Sequence, residues 1–175
     1  RVDCGENIVV KNCQLGAQPT GITCKVQEVN KLSFINNQVY PDGRENLVLD
    51  ACNNCVIEGN NFQSSYNGIL VLNGNDNTVN KNIFWLTGAV QNQLLDHGDD
   101  FGIINVKGNN NMVASNSLSC EWAYAGAVTV NAVQGTGNVF KHCFVDILES
   151  YRVFLVNAQT EVSNCVSSDK VSIVE

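Results

Sequence analysis

Apolar and polar residues alternate along this chain in short runs, and the runs recur. One segment type is a short apolar pair, then Asn, then a large apolar residue. It reads Cys55-Val56-Ile57-Glu58-Gly59-Asn60-Asn61-Phe62, then Thr78-Val79-Asn80-Lys81-Asn82-Ile83-Phe84, then Met112-Val113-Ala114-Ser115-Asn116-Ser117-Leu118. Looser copies end at Asn37-Gln38-Val39, His142-Cys143-Phe144 and Asn164-Cys165-Val166, which puts the endings 23, 22, 34, 26 and 22 residues apart. A second segment type, an alternating strand often opened by Gly, keeps step with the first. Its copies begin at Glu45, Gly68, Gly102, Gly126 and Arg152. Alternation with a period of two marks short, half-buried β-strands.

Two interleaved repeats of one period predict a stacked solenoid rather than a sandwich. The fold class is all-β: a single-stranded parallel β-helix (β-solenoid) of about seven coils of roughly 23 residues. It forms one domain over residues 1–175 with a loop insertion at 85–100. The Leu-x-x-Leu-x-Leu frame of leucine-rich repeats is absent. At ~4.8 Å per coil the rod would be roughly 35 Å long. The expected inward columns are Leu47/Leu70/Ile104/Val128/Phe154, Leu49/Leu72/Val106/Val130/Val156 and Val39/Phe62/Phe84/Leu118/Phe144/Val166.

Composition then acquires a cause. The chain has 26 Asn and 14 Gly against two Pro. Asn tolerates the left-handed backbone that sharp corners need, and stacked Asn side chains can hydrogen-bond from coil to coil. The expected column of this kind is Asp50, Asn73, Asn131 and Asn157, interrupted by Lys107. No Asn-x-Ser/Thr sequon occurs, so N-glycans are not expected. The net charge is −7 with no basic stripe, which argues against nucleic acid as a partner. No apolar run is long enough for a membrane span.

Candidate chemistry concentrates where the rhythm breaks. The inserted segment carries Asp96, His97, Asp99 and Asp100. Carboxylates beside a His suit acid–base work on a glycan, and two carboxyl groups several ångströms apart suit glycosidic cleavage. A solvated acidic loop or a subunit contact is the bland alternative. Glu121, Trp122 and Tyr124 form an acidic-aromatic patch after a corner, suited to stacking on sugar rings or to plugging a core. Cys52-Asn53-Asn54-Cys55 is a Cys-x-x-Cys with no second pair to complete a zinc site and no helix beside it for a redox motif. Cys143 and Cys165 fall in one column of adjacent coils, close enough for a disulfide and equally suited to a buried thiol ladder. Cys52, Cys55, Cys143 and Cys165 are the disulfide candidates; no metal and no cofactor is implied. Eight Cys point weakly to an oxidising, extracellular setting.

From about Gly16 to Leu118, about 60% of the chain, the sequence resembles the later coils of the inulin fructotransferases. The stretch that carries this runs Leu95-Asp96-His97-Gly98-Asp99-Asp100-Phe101-Gly102, continues through the strand Ile103–Val106, and ends Gly108-Asn109-Asn110-Asn111-Met112-Val113-Ala114-Ser115-Asn116. Such enzymes make cyclic difructose anhydrides from fructan. The resemblance implies a right-handed parallel β-helix assembled as a trimer, with active sites near subunit contacts. The family's catalytic Asp and Glu would fall before Arg1, so no catalytic residue carries over. Asp99 and Asp100 match an Asp pair of the family by position and are read as loop or interface residues.

The leading expectation is a secreted, non-catalytic β-solenoid subunit, a homo-oligomer assembled by end-to-end stacking or as a trimer. Its first strand (Ile8–Val10) and last strand (Val171–Val174) would leave open β edges, which invite pairing with another chain. An outward apolar stripe of Val48, Val71 and Leu155 would serve as a lateral contact. The alternatives are a fragment or variant of a fructan-processing enzyme, of glycosyl-transfer or lyase type, and a glycan-binding β-helix module. Polysaccharide is the expected ligand in both.

Overall fold

Each strand of this chain is too short to bury itself, so its apolar face is covered only when coils stack. A computed structural model describes residues 1–16, 21–40, 45–64, 69–86, 102–120, 128–147, 152–165 and 171–174. The first coil contributes β1 (Val2–Glu6), β2 (Val9–Lys11) and β3 (Gln14–Leu15), and the second β4 (Cys24–Asn30), β5 (Ser33–Ile35) and β6 (Gln38–Val39). The third holds β7 (Leu47–Asp50), β8 (Val56–Glu58) and β9 (Asn61–Ser64), and the fourth β10 (Leu70–Asn73), β11 (Thr78–Asn80) and β12 (Ile83–Leu86). The fifth holds β13 (Gly102–Val106), β14 (Met112–Ala114) and β15 (Ser117–Cys120), and the sixth β16 (Val128–Ala132), β17 (Val139–Lys141) and β18 (Phe144–Ile147). Then follow β19 (Arg152–Asn157), β20 (Glu161–Ser163) and β21 (Val171–Val174). Equivalent strands of successive coils pair in parallel, which builds three sheets of eight, seven and six strands among the described residues. The architecture is the parallel β-helix the repeat predicts.

The core is a set of columns. Leu47, Leu70, Ile104, Val130 and Phe154 are successive partners in the first sheet, all buried. Phe34, Ile57, Val79, Val113 and Phe140 form the matching column of the second. Val39, Phe62, Phe84, Leu118 and Val145 form that of the third. Phe62 and Phe84 stack with ring centroids 5.0 Å apart and planes 3° from parallel. Three expected assignments are corrected, one of them being Ala132 in place of Val130 opposite Val156, while Val166 lies outside the described residues. In β16 it is Val130, not Val128, that pairs with Ile104. In β18 Val145 takes the inward place and Phe144 points out.

Corners follow a rule. Two residues before each second-sheet strand of the first six coils the backbone is left-handed, at Asn7, Lys31, Asn54, Asp76, Asn110 and Gly137. Another left-handed residue precedes the third sheet, at Asn12, Asn36, Gly59, Lys81, Ser115, His142 and Asn164. The residue after each left-handed one turns inward. Asn37, Asn60, Asn82 and Asn116 lie in one such column, all buried. The Asn60 side chain donates to Asn82 Oδ1 at 2.9 Å and to the Phe34 carbonyl at 2.8 Å, while its backbone N–H also donates to Asn82 Oδ1. Asn82 repeats the pattern onto Asn116 and Ile57. Asn77, Asn111 and Asn138 do the same at the other corner. Every amide hydrogen of Asn60, Asn77, Asn82 and Asn111 has an acceptor, which is what deep burial of an amide demands. These are not the column expected from sequence: Asp50 and Asn73 do bond at 2.8 Å, but Asn131 pairs with Asn105.

Candidate functional site

Alternation also dictates what the third sheet shows to the outside. Because Phe62, Phe84, Leu118 and Val145 point inward, their neighbours in sequence point outward. One outward row runs Gln38, Asn61, Ile83, Ser117 and Phe144, and the next runs Gln63, Trp85, Ser119 and Asp146. Ile83 is 50% exposed, Phe144 51% and nearby Tyr40 40%. Amides, hydroxyls and aromatic rings share this flat face, and Asp146 is the one charge in its two rows. Aromatic rings flanked by amides and a carboxylate, with no cation, suit a neutral hydroxyl-rich ligand.

The ends of the same strands mark where the candidate clusters leave the rod. Leu86, the last residue of β12, partners Ser64 on one side and Cys120 on the other, and Cys120 partners Ile147. The chain returns to the first sheet at Gly102 and Val128, which are also partners. The described residues that flank segments 87–101 and 121–127 are therefore register partners on both sides, Leu86 with Cys120 and Gly102 with Val128. The first carries Asp96, His97, Asp99 and Asp100; the second carries Glu121, Trp122 and Tyr124. All seven lie outside the described residues. Sequence reading treats the two groups separately, and stacking brings their points of origin together. Trp85 and Leu86, expected to open the insertion, belong to β12 instead.

The cysteines have a structural place. Gly74-Asn75-Asp76-Asn77, Gly108-Asn109-Asn110-Asn111 and Gly135-Thr136-Gly137-Asn138 occupy one corner of successive coils, and Cys52-Asn53-Asn54-Cys55 occupies it one coil earlier. The Cys-x-x-Cys is thus a corner with Cys at the two inward positions. Cys52 Sγ lies 3.4 Å from the Asp50 carbonyl, and Cys55 Sγ lies 3.3 Å from that of Asn53. The Cys55 S–H draws the Cys52 thiol down to about 7 against burial, and the Cys55 thiol is pushed up by Cys52 and by burial. At the other corner Cys13, Cys143 and Cys165 extend the column of Asn37 to Asn116. All four candidate cysteines are thiols in this structure. Among the described residues no group of three or more His, Cys, Asp or Glu could hold a metal ion.

The whole chain superposes on the DFA-IIIase from Arthrobacter chlorophenolicus A6 without its lid, with a TM-score of 0.86 and 21% sequence identity over 100% of this chain and 46% of that one. The same protein without its lid in complex with GF2 matches at 0.84 and 21%, over 99% and 46%. In complex with DFA-III it matches at 0.81 and 20%, over 98% and 48%. The resemblance to the inulin fructotransferases is thus met by a shared β-helix fold, and this chain spans about half the length of the solved relatives. No curated protein sequence matches the chain. The family profile described as periplasmic copper-binding protein (NosD) matches residues 1–146. The Cys52 and Cys55 thiols are sealed in the core. With most of its length matched by that profile, the chain belongs to the NosD family.

Proposed function

We propose that this chain is an exported, carbohydrate-active β-helix of fructan-processing type. It holds a neutral oligosaccharide against the outward face of the third sheet. The observation that carries the reading is the superposition of nearly the whole chain on DFA-IIIase in complex with GF2. The face of Tyr40, Trp85 and Phe144 with amide and carboxylate neighbours supplies ring stacking and hydrogen bonds, the two interactions that recognise a sugar. Asp96, His97, Asp99 and Asp100 are the candidates for moving protons at the glycosidic oxygen, on the segment that follows β12 in sequence. Export is supported by the periplasmic description of the family. A non-catalytic rod that assembles through its ends or sides has less support, and Leu155 of the expected lateral stripe is only 3% exposed in the single chain.

The test is product analysis after incubation with inulin, levan and DFA-III. Fructose, a fructo-oligosaccharide or a difructose anhydride should appear from at least one of them. Asp99→Asn and Asp100→Asn together should lower the rate by at least about 100-fold. If no substrate is consumed yet inulin binds, and Phe144→Ala weakens that binding, the chain is a glycan-binding module. If nothing binds and light scattering shows particles larger than one chain, the assembling rod takes its place.

A further inference from the structure

Cys143 and Cys165 stand where the buried asparagine column runs out, and they face each other across two stacked coils. Lys141 and Ser163 are register partners, and Cys143 and Cys165 follow each by two residues. Stacked strands place their Cα atoms about 4.8 Å apart, inside the span that a disulfide bridges. The Cys143 N–H donates to Cys165 Sγ at 3.4 Å, so the Cys165 sulfur leans toward the sixth coil. Both side chains are buried, and both are thiols in this structure. An Asn pair at this place would be joined by amide hydrogen bonds, as the Asn60 backbone and side-chain N–H groups donate to Asn82 Oδ1. Two thiols offer only a weak contact, and a covalent bond is the stronger alternative open to them.

We propose that Cys143 and Cys165 form an inter-coil disulfide that clamps the seventh coil to the sixth. The oxidant is a low-molecular-weight or protein disulfide. The Cys165 thiolate attacks one of its sulfurs, a mixed disulfide forms, and the first thiol leaves with a proton. Cys143, after losing its own proton, attacks Cys165 Sγ and expels the second thiol. Two cysteine thiols are oxidised and one disulfide is reduced to two thiols. The Cys143 S–H draws the Cys165 thiol down to about 7, which favours Cys165 as the first attacker. The ring closed between the two residues spans 22 positions.

The experiment uses the full chain, purified reduced and equilibrated with glutathione at a series of redox poises, then unfolded, alkylated and digested with trypsin. Cys143 lies in the peptide His142–Arg152 and Cys165 in Val153–Lys170, each with no other cysteine. The oxidised chain should yield these two peptides joined, two hydrogens lighter than their sum. Its thermal midpoint should rise by roughly 6–12 °C, reversed by dithiothreitol. Cys143→Ala and Cys165→Ser should each remove the dithiothreitol-sensitive shift. Recovery of both peptides singly alkylated at every poise, or joined only to other cysteines, overturns the proposal. The peptide result comes from the unsubstituted chain and holds even if a variant fails to fold.

Discussion

Asparagine does two separate jobs in this protein, sometimes in adjacent residues. Asn36 takes the left-handed backbone and Asn37, one residue later, is buried in the column. At the next coils the left-handed place passes to Gly59, Lys81, Ser115 and His142, while the buried place keeps Asn until Cys143. The inward amide is therefore the less replaceable of the two. Asn82→Ala strips the Asn60 backbone and side-chain N–H groups of their shared buried acceptor, Asn82 Oδ1, and removes one of the two donors to Asn116 Oδ1. We expect a loss of about 2–4 kcal/mol in urea unfolding. Asn75→Ala, in a half-exposed column where water can replace the amide, should cost under about 1 kcal/mol. The sequence shows that Asn clusters at corners. It does not show which member of an Asn-Asn pair is buried, because either fits a turn.

At the scale of the strand, register is where sequence reading slips. Aligning Gly126 with Gly102 places Val128 opposite Ile104, two residues off. A two-residue slip keeps every side chain on its own face, so alternation is blind to it. The one-residue slip at β18 flips faces, and it arises because His142 looks like the repeated Asn. The structure instead gives His142 the left-handed place and Cys143 the inward one. Coil contact itself is set by backbone at Gly74, Gly108 and Gly135. A Cβ on Gly108 would collide with the Gly74 carbonyl, and one on Gly135 with that of Gly108. Gly108→Ala should therefore lower stability by at least about 3 kcal/mol or prevent folding, followed by thermal unfolding in circular dichroism. Gly16→Ala, where an added Cβ meets nothing within 4 Å, should leave the melting curve within about 0.5 kcal/mol of the original.

At the scale of the molecule, burial overrides local chemistry. Cys52 and Cys165 have lowered thiol pKa values and would react fast if exposed, yet both lie in the core with Cys55 and Cys143. Cys4 is exposed, and its hydrogen bond to the Glu28 carboxylate at 3.5 Å raises its pKa. In the reduced native chain an aromatic disulfide reagent should modify Cys4 first, with a rate that climbs at higher pH than for an ordinary thiol. Cys52 and Cys55 should wait for unfolding; their modification in the native chain at the rate of Cys4 would contradict the packing. The chain shares its fold with DFA-IIIase at 21% sequence identity. By itself the sequence determined the β-helix, its step and the faces of most strands, since each follows from a local period repeated often enough to be read. Which corner amides are buried, that Cys-x-x-Cys is a corner, and that Leu86 and Cys120 are register partners were decided only by the tertiary structure. Those are relations between residues 22 to 34 positions apart, and stacking sets them through strand pairing that no single coil contains.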